Sequence, residues 1–215
     1  MNSAAVAWGV VPRDEARQWG VEPPSEAQEW ARRMDVATSE DLVRGLFSQS
    51  VLKSLRVLGD EELAGRGARA CGQARFVEYF NYPIRVLLQM LGAAMPGLAE
   101  RHGDAEQALW LLGHCSAMDF LESESGKTLQ VLVRGEPKRL VSNLPWAYQV
   151  ALTGERSVKW LGPQCCRLTM QRDFLPAGFH EGMLVAMLER LNASKVKVVG
   201  RKTSRLECEF DISWQ

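Results

Sequence analysis

Hydrophobic positions along the chain first change period at Gly154, and that change divides it. From Thr38, apolar residues recur every three or four positions through Leu42, Leu46, Val51, Leu55 and Leu58. This predicts a helix capped by Thr38 or Ser39 and stopped at Gly59, with Asp60-Glu61-Glu62 opening the next. The same spacing runs from Phe76 to Leu98, from Ala105 to Leu121, and from about Lys127 to Leu152 with a break at Gly135 to Pro137. After Gly154 the period becomes two. Val158 and Trp160 alternate before a Gly162-Pro163-Gln164 turn, and Cys166, Leu168 and Met170 alternate after it, which predicts a hairpin. Helical spacing returns over Pro176 to Leu191, with Phe179, Leu184, Met187, Leu188 and Leu191 as its stripe. A second hairpin closes the chain: Val196 and Val198, a polar turn at Gly200 to Ser204, then Leu206, Cys208, Phe210, Ile212 and Trp214 alternating with polar residues. Helices first and strand-strand-helix-strand-strand afterwards predict an α+β fold, an N-terminal helical cluster followed by a ββαββ four-stranded antiparallel sheet unit.

Ahead of this body lies a repeat. Trp8-Gly9-Val10-Val11-Pro12 recurs eleven residues later as Trp19-Gly20-Val21-Glu22-Pro23, and Trp30 follows after another eleven. Each unit reads as a short helix with an early proline, and two turns do not stand alone in water, so the tryptophans must pack on something. They either pack on this chain's own body or form a tandem docking motif in which Trp8, Trp19 and Trp30 bind a protein partner. The expected division is an arm over 1–37 and a single α+β domain over 38–215.

Charge narrows the function classes. Lysine plus arginine, 26, cancels aspartate plus glutamate, 26, so the field that draws proteins onto nucleic acid or anionic lipid is missing. The terminal hairpin is locally basic (Lys195, Lys197, Arg201, Lys202, Arg205), and Lys195 and Lys197 are expected to lie across from Glu207, Glu209 or Asp211 in a charge-paired sheet surface. The longest charge-free apolar run, Val86 to Ala99, is shorter than the roughly 20 residues of a membrane span. The first residues lack a basic n-region and a clean apolar core, and five cysteines form no CxxC pair. A cytoplasmic protein with reduced thiols is expected. The adjacent Cys165 and Cys166 should point to opposite faces of a strand, as two small strand residues.

Catalytic patterns are absent. Ser125-Gly126-Lys127-Thr128 imitates the end of a phosphate loop, but Leu121 stands where its first glycine belongs and a helix precedes it where a strand is needed. His180-Glu181 begins like a zinc-protease helix, yet Leu184 stands where the second histidine belongs. Of the three histidines, His114 is the one on an apolar helix, with Trp110 and Met118, so Trp110, His114 and Met118 are the candidate ligand pocket. No catalytic residue, metal site or resident cofactor is assigned.

Several stretches together carry a resemblance. Gly45-Leu46-Phe47, the run from Arg75 to Pro83, Gly126-Lys127-Thr128, Gly154-Glu155-Arg156-Ser157-Val158, Arg172-Asp173-Phe174-Leu175-Pro176, His180-Glu181-Gly182 and Asp211-Ile212-Ser213-Trp214 resemble a large paralogous family of uncharacterised myxobacterial proteins of the DUF2378 type. The resemblance covers about Thr38 to Trp214. Its layout is similar to the small-ligand-binding fold shared by haem nitric-oxide sensors, vinyl-reductase-type domains and TRAPP-type vesicle-tethering subunits, although the Tyr-x-Ser-x-Arg haem-propionate motif of those sensors is missing. The family brings no established activity, and what the layout implies is an apolar pocket between helices and sheet. Taken with the missing catalytic set and the Trp repeat, the resemblance leads to the expectation of a non-enzymatic signalling or scaffolding module that binds a protein partner and is open to modulation by an apolar small ligand. The alternative is a haem or other cofactor sensor using His114. A homodimer through the helices is expected from the fold similarity alone.

Overall fold

The computed structural model describes residues 26–215. Trp8 and Trp19 lie outside the described residues. Helix α1 (Glu26–Val36) leads into strand β1 (Leu42–Arg44), α2 (Gly45–Leu58), α3 (Glu61–Ala70), β2 (Asn81–Pro83), α4 (Ile84–His102), α5 (Ala105–Glu122), α6 (Glu124–Val133) and α7 (Pro137–Ala151). A hairpin of β3 (Glu155–Gly162) and β4 (Cys165–Gln171) follows, then α8 (Ala177–Glu189), β5 (Lys197–Ser204) and β6 (Glu207–Ser213). The architecture is α+β, with the helices mostly ahead of an antiparallel sheet of order β3-β4-β6-β5.

The sheet turns one face inward. Cys166, Leu168, Met170, Cys208, Phe210 and Ile212 alternate into the core, where α8 covers them and α5 covers α8. Helices α5 and α8 cross at backbone distance, because a Cβ on Gly113 would meet the Phe179 carbonyl at 1.9 Å and one on Gly182 would meet the Trp110 carbonyl at 1.9 Å. The outward face is charge-paired as expected, but by different residues. Arg167 donates to Asp211 at 2.8 Å, and Arg201 reaches both Asp211 and Glu209. Lys197 instead lies opposite Ser213. The turn expected at 200–204 falls inside β5, which runs on to Ser204 because Arg201 pairs with Glu209 in the ladder.

Two helical expectations need correction. The segment after Thr38 is a turn and a strand: the Asp41 carboxylate accepts from the Thr38 amide and hydroxyl at 2.7 and 2.9 Å, and Leu42–Arg44 pairs with Asn81–Pro83. Helix α2 therefore starts at Gly45, and its first amides are satisfied from outside it. Gly45 and Leu46 donate to the carbonyls of Phe80 and Glu78, each at 2.8 Å. No side chain fits at position 45, where a Cβ would meet the Val77 carbonyl at 1.9 Å. Likewise the run from Phe76 becomes helical only at Ile84, because the 76–83 stretch is occupied in capping α2 and pairing with β1.

Helix α1 packs on the body rather than standing off as an arm. Trp30 is 4% exposed and lies over Gly92 of α4, and Glu29 bonds both Arg33 and Lys202 of β5. Cys166 is buried and Cys165 half-buried, both as free thiols. Burial pushes the Cys166 and Cys208 thiols up to about 12, which makes them unreactive core residues.

Candidate functional site: an apolar cleft backed by a buried polar network

Helices α2, α5, α6, α7 and α8 converge without closing. Between them lies a cleft of about 330 Å³, within the range of small-molecule sites. Phe47 of α2, Phe120 of α5, Leu129 of α6, Leu144 and Tyr148 of α7, and Met183 and Met187 of α8 form its walls. Ser116 and Thr128 add hydroxyls, while Arg44, Tyr79, Trp146 and Val150 also line it. Helical spacing explains the lining: Met183 and Met187 are one turn apart on α8, and Leu144, Ala147, Tyr148 and Ala151 share a face of α7. Tyr79 and Trp146 are more than half exposed, so the cleft opens to solvent through an aromatic rim.

One wall of the cleft continues into a polar network. The Tyr148 hydroxyl is 3.0 Å from His180 Nδ1, and His180 Nε2 is 2.7 Å from Asp173 Oδ2, a close contact off the hydrogen-bond axis. The other Asp173 oxygen faces Arg156 Nη2 at 3.4 Å, and Arg156 Nη1 donates to the Thr153 carbonyl at 2.8 Å. Arg156 also stacks over the Tyr148 ring, and Phe179 and Phe210 pack edge-on against His180. His180 is completely buried and Asp173 3% exposed. The network thus joins α7, α8, the β4–α8 connection and β3.

Charge in this network is compensated locally. Burial works to raise the Asp173 carboxyl, but His180 and Arg156 beside it prevail and hold it below the usual carboxylate range. Burial first, and then the Asp173 charge, push the Tyr148 hydroxyl well above its ordinary value, so it is a neutral hydrogen-bonding group and not an activated nucleophile. A second clamp ties the helices to the sheet: Arg172 grips Asp41 with two bonds of 2.6 and 2.7 Å. The Asp41 side chain is inaccessible to solvent although Arg172 over it is 45% exposed.

The sequence-predicted pocket residues sit elsewhere. Trp110 and His114 stack with ring centroids 5.2 Å apart on α5, and His114 Nε2 lies 3.7 Å from Glu189 of α8. Met118 is half-buried against the core. None of the three is among the residues lining the cleft. Trp30 is built into this chain's core, its indole nitrogen buried without a hydrogen-bond partner among the described residues. What residue reasoning missed is the network itself, although three of its four members stand in the motifs Gly154-Glu155-Arg156, Arg172-Asp173 and His180-Glu181 that carry the family resemblance. A buried Arg, Asp and His, each next to a turn or helix start, was the available signal.

Among the described residues no three His, Cys, Asp or Glu side chains group as a metal site, and no helix is long and apolar enough to cross a membrane. Haem iron is held by histidine, thiolate, Met/His pairs or tyrosine. No histidine or cysteine lines the cleft, the Tyr148 hydroxyl is engaged by His180, Tyr79 is 65% exposed, and Met183 and Met187 have no imidazole facing them. These residues do not fit a histidine- or thiolate-held haem in the cleft.

Known structures share the fold. The unliganded Fe(II) H-NOX protein from K. algicida is 14% identical at a TM-score of 0.59, with 80% of this chain and 96% of that chain covered. A point variant of the T. Tengcongensis H-NOX is 11% identical at 0.61, with 80% and 97% covered. An oxygen-binding H-NOX domain related to soluble guanylate cyclases is 10% identical at 0.60, with 80% and 95% covered. No curated protein matches the sequence. Residues 36–215 match the family described as protein of unknown function (DUF2378), and the chain belongs to that family.

Proposed function

We propose that the chain is a non-enzymatic ligand-sensing domain that takes a small apolar molecule into the cleft and passes its occupancy to the sheet. The observation that carries this reading is the double role of Tyr148, whose ring lines the cleft while its hydroxyl ends the buried network. A ligand seated against Tyr148, Met183 and Met187 presses on α7 and α8 together. His180 lies one turn before Met183 on α8, and it is tied through Asp173 to the β4–α8 connection and through Arg156 to β3. The fold shared with H-NOX proteins supports sensing by a bound small ligand, which is nearer to the alternative expected from the sequence, a haem or other cofactor sensor, than to a module that binds a protein partner. The donor set of the cleft argues for a ligand without iron. A protein partner then reads the state of the domain at its surface.

Two titrations on the full chain test this reading. The neutral dye N-phenyl-1-naphthylamine should bind saturably with enhanced fluorescence, and Ala147→Trp, which fills the cleft, should abolish the signal while the protein stays folded. Haem added in parallel should give no stoichiometric Soret band, and His114→Ala should not change that outcome. Absence of a saturable dye site, or a stoichiometric haem complex lost in His114→Ala, overturns the proposal.

A further inference from the structure

The apolar cleft shares a wall with a second, polar cavity. This groove, about 560 Å³, is lined by Asn81, Gln149, Thr153, Glu155, Gln171 and Arg172 among others, and it has Arg44, Val150 and Ala151 in common with the cleft. One side chain at that boundary is cationic. Arg44 donates from Nη1 to the Tyr79 carbonyl at 2.7 Å and from Nε to the Val150 carbonyl at 3.4 Å, so both its partners are neutral.

Other arginines around this end of the molecule are matched to acids. Arg172, in the same groove, is held by Asp41, and Arg156 faces Asp173. The acid on the cleft is Glu78 and the acid on the groove is Glu155, and neither forms an ion pair with Arg44. Among the described residues no carboxylate forms an ion pair with Arg44, which is half-buried between an apolar chamber and a polar one. A guanidinium held there favours an anion, because charge-assisted bonds strengthen where water is thin.

We propose that the ligand is a free long-chain carboxylate, its hydrocarbon chain in the cleft against Met183 and Met187 and its head on Arg44 at the edge of the groove. This rests on the cleft reading above and specifies its chemistry. A neutral apolar molecule leaves Arg44 unmatched. A single unpaired guanidinium suits a monoanion better than a phosphate dianion, and the groove's amides and hydroxyls can solvate the second carboxylate oxygen.

The test displaces N-phenyl-1-naphthylamine from the full chain with dodecanoate and with dodecanol, equal in chain length and different in charge. In the native protein dodecanoate should compete about tenfold to a hundredfold better, the worth of one charged hydrogen-bonding contact. Arg44→Gln should erase that preference while leaving dodecanol unchanged, and Arg44→Lys should recover most of it. Equal competition by the two compounds, or a preference that survives Arg44→Gln, overturns the proposal while the cleft reading stands. Failure of dodecanoate to displace bound dye overturns it too. A dye with no saturable site defeats the cleft reading and this one with it. If Arg44→Gln does not fold, the comparison in the native protein, repeated at high salt where the preference should shrink, decides alone.

Discussion

Tyr148, His180, Asp173 and Arg156 hold a buried charge pair and a buried hydroxyl in one line, and removing any member leaves another unsatisfied. Tyr148→Phe strips the partner from His180 Nδ1 and should cost about 1–3 kcal/mol in urea unfolding. Asp173→Asn leaves Arg156 without its counter-charge and takes the carboxylate away from His180, for a cost nearer about 3–5 kcal/mol. The pH dependence has a defined sign. Asp173 and Asp41 are both held below their ordinary range when folded, against burial that alone would raise them, so their contribution is complete above the unfolded value of about 4 and fades as pH falls through the folded value. Unfolding free energy measured from pH 7 down to pH 3 should therefore fall in the native protein and fall less steeply in Asp173→Asn. A flat profile in the native protein contradicts the assignment.

At the scale of elements, the tightest joint is the crossing of α5 and α8. Gly113→Ala and Gly182→Ala each drive a methyl group into a backbone carbonyl, which side-chain motion cannot relieve, and each should destabilise by at least about 3 kcal/mol. Gly65→Ala on α3 should do the reverse. Its Cβ meets only the flexible end of Arg69, at 3.2 Å, and removing glycine from a helix interior gains up to about 0.5–1 kcal/mol. Thermal melts of the three variants check the contrast in sign. Periodicity makes the β4 and β6 strands readable directly, since a single buried face imposes the spacing, whereas α8, held between the sheet and α5, is buried nearly all round and is legible as one long apolar run. It misleads at Leu42 and at Phe76, where residues with helical spacing serve a strand pair and the cap of α2. There the decisive contacts, Asp41 with Arg172 and Gly45 with the Phe80 carbonyl, join positions 131 and 35 residues apart, out of reach of any local pattern. The cleft is illegible for the same reason: its walls come from five helices, and only short runs such as the Met183–Met187 pair are local.

For the molecule as a whole, helix α1 belongs to the core. Trp30→Ala should cost about 3–5 kcal/mol, and deletion of residues 1–37 should lower the melting temperature at least as far, because it also removes Arg33 and the Glu29–Lys202 contact. A pull-down intended to probe Trp8 and Trp19 must therefore cut ahead of Glu26, or loss of stability will pass for loss of a partner. The fold holds a charge-paired sheet surface and, apart from it, the open aromatic rim of the cleft. The buried network links the cleft wall to the sheet through Tyr148, His180, Asp173 and Arg156. Ligand binding in this cleft is tested most directly by photolabelling the full chain with a twelve-carbon carboxylate bearing a terminal diazirine, mapped by mass spectrometry. Adducts are expected on Met183, Met187 and neighbouring α7 residues, suppressed by excess dodecanoate. Adducts concentrated on Trp110 and His114, or labelling that excess dodecanoate does not suppress, would contradict a carboxylate site between α7 and α8.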